Sequence, residues 1–88
     1  MTTPDPLAAL RGRFLERAAA DLAWIHATGG TPAEELLARA HKLAGAGGTF
    51  GFAAVSEAAA AVEDDIREGR AADLRPLVSA LEGLPPAN

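Results

Sequence analysis

The segment TPAEELLARAHKLAGAGGTFGF, running from Thr31 to Phe52, decides the fold. Its opening residues predict a helix start. Thr31 is placed as N-cap, Pro32 takes the first helical position, where its missing N–H costs nothing, and Glu34 is spaced to reach back as a capping box. Leu36, Ala40, Leu43 and Gly47 then recur every three or four residues as one buried stripe, while Leu37, His41, Ala44, Gly45 and Gly48 share the adjacent face. The pattern is that of an amphipathic helix, broken at Gly51, with His41 at the margin of its apolar stripe and facing outward.

The flanking sequence repeats this pattern. Upstream, Asp5 caps and Pro6 opens a long helix whose stripe is Leu7, Leu10, Phe14, Ala18, Leu22 and Ile25; Arg11, Arg13, Glu16, Arg17 and Asp21 fall mostly elsewhere. Thr28, Gly29 and Gly30 end it, because glycine readily takes the left-handed conformation of a helix C-terminus. Downstream, Phe52, Val55, Ala59, Val62 and Ile66 mark a third helix reaching Gly69, with Ser56, Glu57, Glu63, Asp64 and Arg67 placed toward water. A shorter fourth carries Leu74, Leu77, Leu81 and Leu84, with Pro76 at or near its start and Gly83 at its end. The composition is rich in alanine and leucine and has no tyrosine, which suits packed helices. The expected architecture is all-α, an antiparallel up-down-up-down four-helix bundle forming one domain over residues 5–84, with loose termini at 1–4 and 85–88.

Bulk properties narrow the function. With no cysteine there is neither a disulfide frame nor a thiolate metal site. A net charge of -4 with scattered basic residues argues against nucleic acid, since phosphate affinity needs clustered lysine and arginine. No apolar run approaches the roughly 20 residues that span a bilayer, and the N-terminus lacks a signal-peptide layout, so no membrane partner and a cytoplasmic location are expected.

Glycine costs about 1 kcal/mol relative to alanine inside a helix, so Gly45, Gly47 and Gly48 need a reason. Gly45 and Gly48 lie four and seven residues after His41 and share its side; with Ala44 they leave the imidazole clear of its own helix. Gly47 points inward, where a missing side chain permits close helix approach. Arg39 and Lys42 supply nearby positive charge. No paired carboxylate or serine stands at a fixed spacing beside His41 for acid and base work.

At this point the chain resembles the histidine-containing phosphotransfer domain family. The family signature HxLKGxxxxxG lies on the second of four bundled helices; His41, Leu43, Gly45 and Gly51 match it in register, and Thr49–Phe52, TFGF, is similar to the continuation in phosphotransfer domains of chemotaxis kinases. The alanine-rich segment ending in Glu63 is also similar. The resemblance implies that His41 accepts and donates a phosphoryl group. Its partners would be receiver domains of hybrid histidine kinases or response regulators, passing phosphate between receiver aspartates in a two-component phosphorelay. It further implies a carrier rather than an enzyme, with no cofactor of its own and Mg²⁺ held by the receiver. The family lysine three residues after the histidine is Ala44 here, which leaves Lys42 as the candidate phosphate-neutralising group. Leu37, Arg39, Ala44, Gly45 and Gly48 are the expected partner-docking residues, and the carrier is expected to be monomeric.

Other readings are a non-transferring module of the same fold that binds and regulates a kinase or receiver, and a helical protein that self-associates. A metal enzyme has little support, because His26 and His41 fall on different helices and neither has a histidine or carboxylate at i+3 or i+4. His26, near the first helix's end, suits the helix dipole, and Trp24 suits the bundle edge or its end. Glu63, Asp64, Asp65 and Glu68 read as a solvated helix face, since consecutive helical residues point around the cylinder rather than at one ion.

Overall fold

The Asp5 carboxylate accepts a hydrogen bond from the Leu7 amide and, with Pro6 in the first turn, starts α1 (Pro6–Thr28) in the computed structural model, which describes residues 5–87. Gly29, left-handed at φ 69°, closes α1 by donating its amide to the Ile25 carbonyl. Then follow α2 (Ala33–Thr49), α3 (Ala53–Arg67) and α4 (Arg75–Glu82), the last with Pro76 in its first turn as expected. The described residues are all-helical, four helices with no strand. Among them no helix is long and apolar enough to cross a membrane.

The capping box predicted for α2 does not form. Pro32 itself stands at the N-cap with an extended backbone, its carbonyl accepts the Glu35 and Leu36 amides, and no side chain caps the helix. Thr31 is therefore one residue too early to reach the first turn. Glu34 and Glu35 still place negative charge against the positive end of the helix dipole.

The stripes meet in one core built around Phe14, Ala18, Leu36, Leu43, Val55, Val62, Leu77 and Leu81. Each helix touches two neighbours: α1 and α3 both pack on α2 and α4. The α2–α3 pair is the most extensive, and Gly47 is the reason. A Cβ there would sit 3.2 Å from the Ser56 backbone nitrogen and 3.4 Å from the Phe52 carbonyl oxygen, so only glycine lets the two backbones come this close. Ser56, expected to face water, instead donates its hydroxyl to the Ala44 carbonyl across the seam at 2.7 Å. Phe14 stacks on Phe52 and leans on Phe50, with ring centroids 5.5 and 5.8 Å apart, which seats α1 on the α2–α3 turn.

Two expectations for α1 are corrected. Leu7 and Leu10 are 52% and 47% exposed, because α2 ends level with Phe14 and the first turns of α1 lie beyond it. Asp21, expected off the stripe, is buried between α1 and α2, where the Arg39 guanidinium meets it. Of the termini, residues 1–4 and 88 lie outside the described residues. Within 85–87, Ala87 is half-buried against the core, its carbonyl facing Gly12.

Candidate functional site

His41 occupies the middle of α2, one position past the fully buried Ala40, and its side chain is 69% exposed. The ring is not alone. Its Nδ1 lies 2.7 Å from Oε2 of Glu63 on α3, 22 residues away in the chain. Glu63 is thus not directed into water, and His41 does have a carboxylate beside it, both contrary to what spacing predicts, because the tight α2–α3 seam brings together residues that no local spacing connects. Arg67, one turn beyond Glu63, donates to the same Oε2 from Nη2 at 2.7 Å and from Nε at 3.3 Å.

These contacts select one tautomer of the neutral ring. The Arg67 hydrogen bond, and after it the one from His41, hold the Glu63 carboxyl below the usual carboxylate range. An ionised carboxylate only accepts, so the proton between the two groups belongs to His41 Nδ1. The neutral ring then carries its lone pair on Nε2, which makes no hydrogen bond among the described residues. The result is an exposed imidazole with an oriented, nucleophilic nitrogen.

The space around the ring is open where the small residues predict it. A Cβ at Gly45 would meet nothing within 4 Å, and one at Gly48 only the Ser56 hydroxyl at 3.4 Å. Leu37 and Ala44, on the same face, are half-buried; Gly45 and Gly48 are exposed.

The cations are arranged differently from the expectation. Arg39 does not flank His41. It turns toward α1, pairing with buried Asp21 and with Glu35 at 2.7 Å, and its guanidinium lies 4.6 Å from the centre of the half-buried Trp24 ring. The physical reason is angular: two residues along a helix is about 200° around it, so Arg39 and His41 face opposite helices. Burial pushes the Asp21 carboxyl up against the opposing pull of Arg39, and its Oδ2 has no hydrogen-bond partner among the described residues. Lys42 is exposed along the groove it lines with Phe14 and Arg17 of α1. The cation joined to the histidine is Arg67.

Asp65 also departs from the solvated-face reading: it is partly buried and pairs with Arg70 at 2.9 Å. His26 lies exposed in the last turn of α1. Among the described residues, no three of His, Asp and Glu are grouped to hold a metal ion. The candidate site is therefore His41, with Glu63 bonded to its ring and Arg67 bonded to Glu63. Of these the residue spacing disclosed only the first; the one sequence signal for Glu63 was its place in the alanine-rich segment similar to the phosphotransfer family.

A scan against protein-family models matches the model described as Hpt domain over residues 9–84. No curated protein and no solved structure matches the chain significantly.

Proposed function

The chain belongs to the Hpt domain family, and on that premise we propose that His41 is a phosphoryl carrier relaying phosphate between the aspartates of receiver domains. Membership places the chain in phosphotransfer signalling, as a phosphocarrier module rather than a self-sufficient enzyme. The observation that carries the finer reading is the bond from His41 Nδ1 to Glu63, which leaves Nε2 of an exposed ring as the nucleophile.

In the proposed step the Nε2 lone pair attacks the phosphorus of an aspartyl phosphate on a receiver. The N–P bond forms, the acyl phosphate P–O bond breaks, and the aspartate leaves as a carboxylate. No proton needs removing, because Nε2 bears none; Nδ1 keeps its proton and the ring becomes cationic. Glu63 accepts from that Nδ1–H and stabilises the charge as it develops. Return transfer runs the same bonds in reverse. Such chemistry is mainly positioning and charge neutralisation. Mg²⁺, in this reading, belongs to the receiver's carboxylates.

The docking surface would be the face around His41, with Leu37, Ala44, Gly45 and Gly48 as small or half-buried contacts and Lys42 at its edge. We also propose the antiparallel up-down-up-down orientation, supported by contacts that step in opposite directions along paired helices: Gly47 beside Ser56 and His41 beside Glu63, Phe14 beside Phe50 and Asp21 beside Arg39. A monomeric, cytoplasmic carrier fits these proposals. The main alternative is a non-transferring module of the same fold, for which an exposed imidazole oriented by a carboxylate has no use. The test is to supply a phosphorylated receiver to the wild-type chain and to H41Q. Acid-labile label on the wild type and none on H41Q is the expected outcome; equal labelling of both sinks the assignment.

A further inference from the structure

A phosphoryl group on His41 Nε2 would bring close to two negative charges to the surface of α2, and the position one turn along from His41 carries Ala44 rather than a cation. Lys42 borders the groove toward α1. The guanidinium of Arg67, in contrast, shares a carboxylate oxygen with the ring: Arg67 Nη2 and His41 Nδ1 each lie 2.7 Å from Glu63 Oε2. It is therefore within two hydrogen-bond lengths of the imidazole already.

We propose that Arg67 is the phosphate-binding cation of the phosphorylated state: it gives up Glu63 and pairs with the phosphoryl group on His41, while Glu63 stays on the ring Nδ1–H. This rests on the proposed function of His41. Three features of the site carry it. The first is direction. Helical side chains lean toward the N-terminus of their helix, so the His41 ring leans over the turn that holds Leu37. Contacts run forward along α3 as they run back along α2, from Gly47 beside Ser56 to His41 beside Glu63, so Arg67, a turn past Glu63, stands level with Leu37. Ring and guanidinium converge on the same stretch of the seam.

The second is freedom. The Arg67 side chain is 56% exposed, and Glu63 is its one salt-bridge partner among the described residues, so changing partner breaks no other ion pair. The third is charge. A guanidinium fork matches phosphoryl oxygens bidentately. Once Arg67 leaves, Oε2 of Glu63 is held by Nδ1–H alone, which strengthens its grip on the cationic phosphorylated ring. The exchange pairs each anion with the cation nearest to it. It needs no covalent step beyond phosphorylation itself.

The experiment labels the full chain with phosphoramidate and follows the phosphohistidine by ³¹P NMR as a function of pH. Wild type is compared with R67Q, R67K, K42Q, E63Q and the double variant E63Q/R67Q, each checked for helix content by circular dichroism. R67Q is expected to move the titration midpoint of the phosphoryl group upward by about 0.15 to 0.7 of a pH unit, the size of an exposed ion pair. R67K recovers most of that shift and K42Q produces a smaller one. The same displacement separates E63Q from E63Q/R67Q. A phosphoryl group that titrates identically in wild type and R67Q overturns the proposal, as does a shift that vanishes in the E63Q background, which would mean that Arg67 acts only through Glu63. Wild type that takes no label overturns this proposal and the proposed function together, whereas label indifferent to residue 67 overturns this one alone.

Discussion

Replacing Gly45 and Gly47 separately with alanine gives two chemically identical changes, two residues apart on α2, with opposite expected outcomes. Each adds one methyl group and gains about 1 kcal/mol of helix propensity. At Gly45 the new Cβ meets nothing within 4 Å, so the gain is kept; in a domain of this size about 1 kcal/mol corresponds to a rise in midpoint of about 4–8 °C. At Gly47 the methyl would stand 3.2 Å from the Ser56 nitrogen, 3.4 Å from the Phe52 carbonyl and 3.5 Å from the Ser56 Cα. All three are backbone atoms at the start of α3, which cannot rotate aside. The helices must part, and overpacking of this kind costs about 1–3 kcal/mol. That outweighs or cancels the propensity gain, leaving G47A between neutral and about 2 kcal/mol less stable than wild type, and G45A above it by about 1–3 kcal/mol. Urea unfolding followed by helical circular dichroism, with midpoints compared at equal m-values, reads the difference directly. If G47A gained as much as G45A, the argument that glycine sets the α2–α3 distance would be wrong, and with it the reason given for the His41–Glu63 contact.

Three further outcomes are expected. E63Q leaves His41 without an anionic partner and slows its phosphorylation by phosphoramidate by about tenfold, by analogy with the low end for carboxylates that orient metal-ligating histidines; an unchanged rate refutes the role of Glu63. R39M strands the buried Asp21 carboxylate and lowers stability by about 3 kcal/mol, which D21L/R39M largely restores; a single variant within about 0.5 kcal/mol of wild type refutes a stabilising Asp21–Arg39 pair, given that surface changes usually fall within that range. In pH titrations of stability, Asp21 and Glu63 act with opposite sign. Burial raises Asp21 above its ordinary 3.8, so the native state holds that proton more tightly; its contribution is present below that pH and lost as pH rises through the native value. Glu63 is lowered from 4.5, so its contribution is present above that pH and lost as pH falls through the native value. Urea midpoints of D21N and E63Q against wild type across this acid range check both, and a slope of reversed sign at either residue contradicts its assignment.

The four helices were legible in the sequence because each carries its own stripe and its own stop, from Leu36, Ala40, Leu43 and Gly47 to the left-handed Gly51 at φ 81°. Spacing within a helix also put His41 outward and Gly47 inward. What spacing cannot express is how one helix is registered against another. Glu63 looked like one of several wet carboxylates because its partner is 22 residues away, and Asp21 looked like a surface charge because Arg39 reaches it from α2. Arg39 and Lys42 seemed to surround His41 only because they are near it in the chain; on a helix, neighbours in sequence point apart. The misplaced cap at Thr31 is a local error of one residue, with no effect on where α2 points.

The carboxylate that prepares the histidine comes from a different helix, and this makes the site a test of completed folding. A chain that has made α2 but not closed it against α3 possesses His41 as an ordinary surface imidazole, with neither its tautomer held nor its cationic form supported. The fixed tautomer that leaves the lone pair on Nε2 then forms in step with the seam. On the proposed role of His41, partially folded or damaged copies would compete poorly for phosphate, and intact molecules would be favoured without any separate device to inspect them.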